Sequence, residues 1–122
     1  MAEYMDRSTT DVVITLTWPN VAGVTTAITV DMFRITQTYR IHRIFGFVYS
    51  QVGDATVLQA VRIRNGASTI IGTASVQVPE VEAEVSSYNL RELLNNDYIS
   101  FSVASIGTTP TGVSVTFILR PE

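Results

Sequence analysis

Alternation with a period of two dominates this chain, and the predicted elements follow from it. Val12, Ile14, Leu16 and Trp18 share one parity, separated by Val13, Thr15 and Thr17, and Pro19-Asn20 ends the run. A second extended stretch covers 27–33, with Ile28, Val30 and Met32 facing one way. Tyr39, Ile41, Phe45, Phe47 and Tyr49 then read as one buried face of a long strand, broken in pattern by Arg43 and followed by a turn at Gln51-Val52-Gly53-Asp54. Val57, Val61 and Ile63 alternate with Leu58, Ala60 and Arg62, which predicts a central strand covered on both faces. Asn65-Gly66 follows directly. An Asn-Gly pair between two such runs predicts a type I′ hairpin, because both residues accept positive φ. The return strand spans 68–78, with Gly72 at an expected bulge and Pro79 at its end.

Downstream, Val81, Ala83 and Val85 alternate with Glu80, Glu82 and Glu84. Asn89-Leu90-Arg91-Glu92 has the form of a capping box, and with Leu93 and Leu94 it predicts one short helical turn over 89–94. Ile99, Phe101 and Val103 form another strand, 107–112 a loop, and Val113, Val115, Phe117 and Leu119 the last strand. About eight short strands without a βαβ pattern predict an all-β fold, an antiparallel β-sandwich or a small barrel. Residues 1–10 read as a flexible arm and 11–120 as one domain.

Composition narrows the picture. The 122 residues are 46% hydrophobic and 16% charged. That is too apolar for disorder, and charge this sparse suggests surface covered by a partner, although abundant Ser and Thr also keep a β surface wet. No cysteine is present, which excludes disulfides and thiolate chemistry and leaves the redox compartment unreadable. Residues 1–7 lack a signal-peptide pattern, and no apolar run approaches a membrane span, so no membrane partner is expected.

The net charge of −3 is unevenly placed, with a local +4 over 34–64 and a local −4 over 80–97. All eight basic residues are arginine, whose planar fork suits paired, partly buried contacts. Two readings stand: the oppositely charged segments neighbour one another within one sandwich, or they meet across subunits. Arg40, Arg43, Arg62, Arg64, Glu80, Glu82 and Glu84 are the interface candidates, joined by Tyr4, Met5 and Arg7 of the arm.

No enzyme chemistry is legible. His42 is the lone histidine, insufficient for a zinc or cupin-type site, and no Gly-x-Ser-x-Gly elbow accompanies the serines. Glu80, Glu82 and Glu84 lie roughly 7 Å apart on one strand face, whereas a glycosidase pair faces across a cleft. The Asp/Asn/Gly pattern of a calcium loop is missing, with Asp54 and Asn95-Asn96-Asp97 only weak alternatives. No metal and no cofactor are expected. Arg40, Arg43, Arg62 and Arg64 beside Tyr39 and Phe47 would suit a base-stacking sheet, but the net negative charge and aromatics in core parity argue against a nucleic-acid partner.

Leu93-Leu94-Asn95-Asn96-Asp97-Tyr98-Ile99-Ser100-Phe101-Ser102-Val103 resembles the L-x-x-G-D-x-I-S-x-x-V turn-and-strand found late in jelly-roll domains of trimeric knobs and viral accessory proteins. Asn96 stands where glycine is usual, the next best residue for a left-handed turn. The Asn65-Gly66 hairpin and the run 112–120 fit the same kind of domain, and the resemblance spans 11–120. It implies a jelly-roll-like capsid decoration (cement) protein or a head-fibre or tail-fibre knob of a tailed phage, made in the host cytoplasm. On this reading the chain is a homotrimer on the capsid surface, and its partner is the major capsid protein. The alternative is a carbohydrate- or receptor-binding knob using exposed aromatics such as Tyr88 and Tyr98.

Overall fold

Asn65 and Gly66 turn the chain with φ of 53° and 80°, the two positive values a type I′ hairpin requires. The computed structural model describes residues 11–17, 32–52, 55–105 and 108–122. The arm residues Tyr4, Met5 and Arg7, the end of the first predicted strand at Trp18 and most of the second lie outside the described residues. In chain order the strands are β1 Val12–Thr17, β2 Phe33–Arg34, β3 Tyr39–Val52, β4 Thr56–Arg64, β5 Ala67–Val76, β6 Glu82–Glu84, β7 Glu92–Leu93, β8 Tyr98–Ser105 and β9 Thr108–Pro121.

Their pairing is nested about that turn. β4 pairs with β5, β3 with β6, β2 with β8 and β1 with β9, all antiparallel. Two further antiparallel pairings, β3 with β9 and β4 with β8, join these into sheets of order β1-β9-β3-β6 and β2-β8-β4-β5, with β7 added beside β3. One long hairpin rolled into two facing sheets is the jelly roll, so the all-β sandwich expected from the sequence is the fold observed. The inner faces meet in one core that includes Ile41, Ile44 and Val48 of β3, Phe117 and Leu119 of β9, Leu58 of β4, and Ile99 and Phe101 of β8. Each such side chain contributes about 1.5–3 kcal/mol through burial.

Two of the four register shifts among the described strands, on β3 and on β5, decide which side chains reach the surface. On β3, Ile41 faces Leu119 and Arg43 faces Ile118, leaving His42 as the extra residue. A bulge reverses the inside-outside parity downstream of it. Ile44, Gly46 and Val48 therefore enter the core, and Phe45, Phe47 and Tyr49 lie on the outer face. The expectation that these three aromatics face the core is thereby corrected. On β5, Ala60 faces Gly72 and Val61 faces Ile70, so Ile71 is the extra residue, immediately beside the glycine where a bulge was expected.

Residues 89–94 form no helical turn. The segment 85–93 instead meets the open edge of β3 at its two ends and crosses to the β5 bulge at Asn89 between them, which satisfies backbone groups that a lone helical turn would leave bare. Val85 N–H donates to Ile44 O at 2.9 Å, Ile41 N–H donates to Arg91 O at 2.7 Å, and Glu92 pairs in register with Arg40. Leu93 is fully buried, as a plug for this end of the sandwich. The loop expected over 107–112 is also strand from Thr108 onward, since β3 is long enough to pair with it as far as Val52. Gly112, at φ 64°, sits against Tyr49, where a Cβ would come within 2.5 Å of that tyrosine's own Cβ.

Candidate functional site

Three places gather the chemically distinctive residues. The first is the outer face of the β1-β9-β3-β6 sheet. Antiparallel sheets with one solvated face normally carry polar residues there. Here β3 presents Phe45 and Phe47, both half-buried, and Tyr49, 73% exposed. Val13 of β1 is 63% exposed, and its neighbour in register is Ile118 of β9. Thr15 and Thr116 face each other between these apolar groups and share a hydroxyl hydrogen bond of 3.0 Å.

Charge borders this face. Arg43 grips Glu84 with Nε to Oε2 at 2.9 Å and Nη2 to Oε1 at 2.8 Å, while its guanidinium lies 4.8 Å from the centre of the Phe45 ring. The hydrogen bonds from Arg43 hold the Glu84 carboxyl below its ordinary range. Glu82 and Glu80 remain exposed on the same flank. Arg40 is exposed and lies between Arg120 and Glu92 in register, and Arg120 pairs with Asp11 at 3.0 Å.

The second place is a clasp over the bulges at His42 and Ile71. Arg91 donates from Nη1 to the carbonyls of Ile41 and His42 at 2.9 and 3.1 Å, and stacks over Tyr88 at 4.0 Å from the ring centre. The Tyr88 hydroxyl accepts the N–H of Ile44 at 2.9 Å, and burial raises its pKa above that of an ordinary phenol. Asn89 holds the other bulge, its N–H donating to Ile71 O at 2.7 Å and its amide to Ile70 O at 3.1 Å. Asn89 therefore caps no helical turn and instead satisfies the carbonyls of a strand bulge. Tyr88 is structural, and His42 contributes its carbonyl while its side chain points to solvent.

The third place is the end of the other sheet. Asp97 is 2% exposed and receives both arms of the Arg64 fork. It also accepts the N–H of Leu94 at 2.8 Å, closing the turn in which Asn96 adopts φ 77°. Arg64 holds the Asp97 carboxyl below its ordinary range against the opposing effect of burial, and the nearby Arg62 charge acts in the same direction as Arg64. Arg62 itself is half-buried, with Nε shielded from solvent. Beside this turn, on the outer surface, Met32, Arg34, Ile63, Asn65, Asn96 and Tyr98 line an open depression of about 430 Å³.

Of the sequence candidates, the fold thus joins Arg43 to Glu84 and commits Arg64 to Asp97 within one chain, leaving Arg40, Glu80 and Glu82 exposed. Sequence reasoning missed the outward aromatics of β3 and the depression around Arg34. The signal for the former was the adjacent polar pair His42-Arg43, which interrupts a strict alternation as a bulge does. Among the described residues, no group of three His, Cys, Asp or Glu side chains is placed to hold a metal ion. No protein-family model, no curated protein sequence and no solved structure matches the chain.

Proposed function

We propose that this protein is a virion structural protein that decorates and stabilises a phage capsid as a homotrimer, seated on the major capsid protein at the capsid surface. The observation that carries the reading is the set of apolar side chains Val13, Phe45, Phe47, Tyr49 and Ile118 on the outer face of a jelly roll whose described residues already form a buried core between its sheets. Large apolar side chains clustered on a solvent-facing sheet surface, here interleaved with hydroxyls, are the mark of an interaction site. Burying it on assembly adds binding free energy to the shell that isolated subunits lack. The rim of Arg40, Glu82 and Glu80 would fix orientation, since exposed charges contribute more to register and association rate than to affinity.

The test is native mass by light scattering together with co-sedimentation on capsid shells. Wild type should be trimeric and should pellet with shells. Phe45→Ser/Phe47→Ser should lose either the trimer or the pelleting while keeping its β-sheet circular dichroism. A monomeric wild type that ignores shells overturns the reading, as does a double variant indistinguishable from wild type.

A second reading, glycan binding, is favoured by one observation: Tyr98 forms part of the depression together with Asn65 and Asn96. The outward aromatics of β3 also remove one objection to nucleic acid, but Glu82 and Glu84 on the same flank would repel phosphates.

A further inference from the structure

The depression beside Asn96 is assembled by two left-handed turns that arrive at the same end of the β2-β8-β4-β5 sheet. Asn65 and Gly66 end the β4-β5 hairpin, and Asn96 ends the turn before β8. Between them Arg34, Tyr98 and Ile63 form one row across β2, β8 and β4. Arg34 donates to the side-chain oxygen of Asn96, which anchors the guanidinium at the rim. That bond engages Nη2 and leaves the fork's other donors for a ligand.

The lining has a definite chemical character. Among the described lining residues only Arg34 is charged, and the neighbouring carboxylate of Asp97 is buried and already taken by Arg64. Asn65 supplies an amide that both donates and accepts, held on a turn of fixed geometry. Tyr98 and Ile63 supply an apolar wall, and Met32, 54% exposed, an adaptable one. One fixed cation, amides and an apolar wall match a ring that bears hydroxyls on its edge, C–H groups on its face and a single carboxylate.

We propose that this depression binds an acidic saccharide, a hexuronate or sialic-acid residue, with its carboxylate on Arg34, its hydroxyls on Asn65 and Asn96 and its apolar face on Tyr98. The inference rests on the glycan reading and is independent of the assembly reading.

The experiment is a titration of the ¹⁵N-labelled full chain, followed by amide and arginine Nε shifts. The probes are sodium glucuronate, N-acetylneuraminate, neutral methyl glucoside and acetate. Either acidic sugar should shift Asn65, Gly66, Asn96, Tyr98 and the Arg34 Nε together. Arg34→Gln and Tyr98→Ala should each weaken binding by about tenfold or more while the remaining peaks stay in place. Arg34→Lys, which keeps the charge but not the fork, should restore only part of it. Equal shifts with acetate mean an adventitious anion only, and they overturn the proposal. So do shifts confined to the β3 aromatics, or no shifts at all. Binding of the neutral sugar alone would retain the glycan reading and sink this one.

Discussion

Arg64 and Asp97 meet as fork and carboxylate, with Nε to Oδ1 and Nη2 to Oδ2 both at 2.8 Å. The carboxylate is almost wholly buried, and its second oxygen also takes the N–H of Leu94. One side chain therefore ties β4 to the turn that launches β8. This gives a physical role to the aspartate of the turn-and-strand motif. It also means that reversing the charge of Arg64 would unfold this end of the sandwich whatever happens at an interface, so charge reversal there is a poor probe of oligomerisation.

Asp97→Asn should lower stability by about 2–4 kcal/mol, because it leaves a half-buried guanidinium without its counter-charge. The pH dependence follows from the sign of the shift. The folded-state pKa of Asp97 lies below its unfolded value. Between the two the unfolded chain binds the extra proton, so stability rises with pH. The contribution is complete above the unfolded value, about 3.9, and is lost as pH falls through the folded one. Chemical denaturation from neutral pH down to pH 2 should show a steeper acid loss in wild type than in Asp97→Asn; parallel curves would contradict it.

Tyr88→Phe should cost about 1–2 kcal/mol, since it orphans the Ile44 N–H on an otherwise sealed strand edge. Amide exchange at Ile44 should quicken selectively. Arg91→Ala removes two carbonyl contacts and the ring stack and should cost at least as much. Unchanged exchange at Ile44 in the tyrosine variant would show that the hydroxyl is not its acceptor in solution.

Gly46→Ala tests the packing of the two sheets. A Cβ there would lie 2.9 Å from Leu58 Cδ1 and 3.0 Å from Ala74 Cβ, so the sheets must part slightly, at a cost of about 1–3 kcal/mol. Gly66→Ala meets open space but sits at φ 80°, and its cost should be near 1–2 kcal/mol of backbone strain. Equilibrium unfolding of both variants separates the causes: Gly66→Asn should recover most of the loss at the turn. No gain in stability is expected from any larger residue at Gly46.

Local chemistry alone determined much of this protein. The Asn65-Gly66 hairpin, the left-handed Asn96 and the period-two runs of β1, β8 and β9 each depend on residues adjacent in sequence, whose φ preferences and parity act before any long-range contact forms. The tertiary structure decided the rest. The reversal of β3 parity at His42 becomes stable only because Arg91 and Tyr88, more than forty residues away, satisfy the groups that the bulge frees. Bonds joining Arg91, Glu92 and Leu93 to the β3 edge and Asn89 to the β5 bulge hold 89–94 out of the helical turn its capping-box pattern suggests, because they satisfy backbone groups that a lone helical turn leaves bare. Whether the opposite charges of 34–64 and 80–97 face each other within one chain was likewise a question of register, which composition does not encode. Strand order placed Arg43 beside Glu84 and Arg64 beside Asp97. The depression around Arg34 exists only because nested pairing brings two distant turns to one end of one sheet.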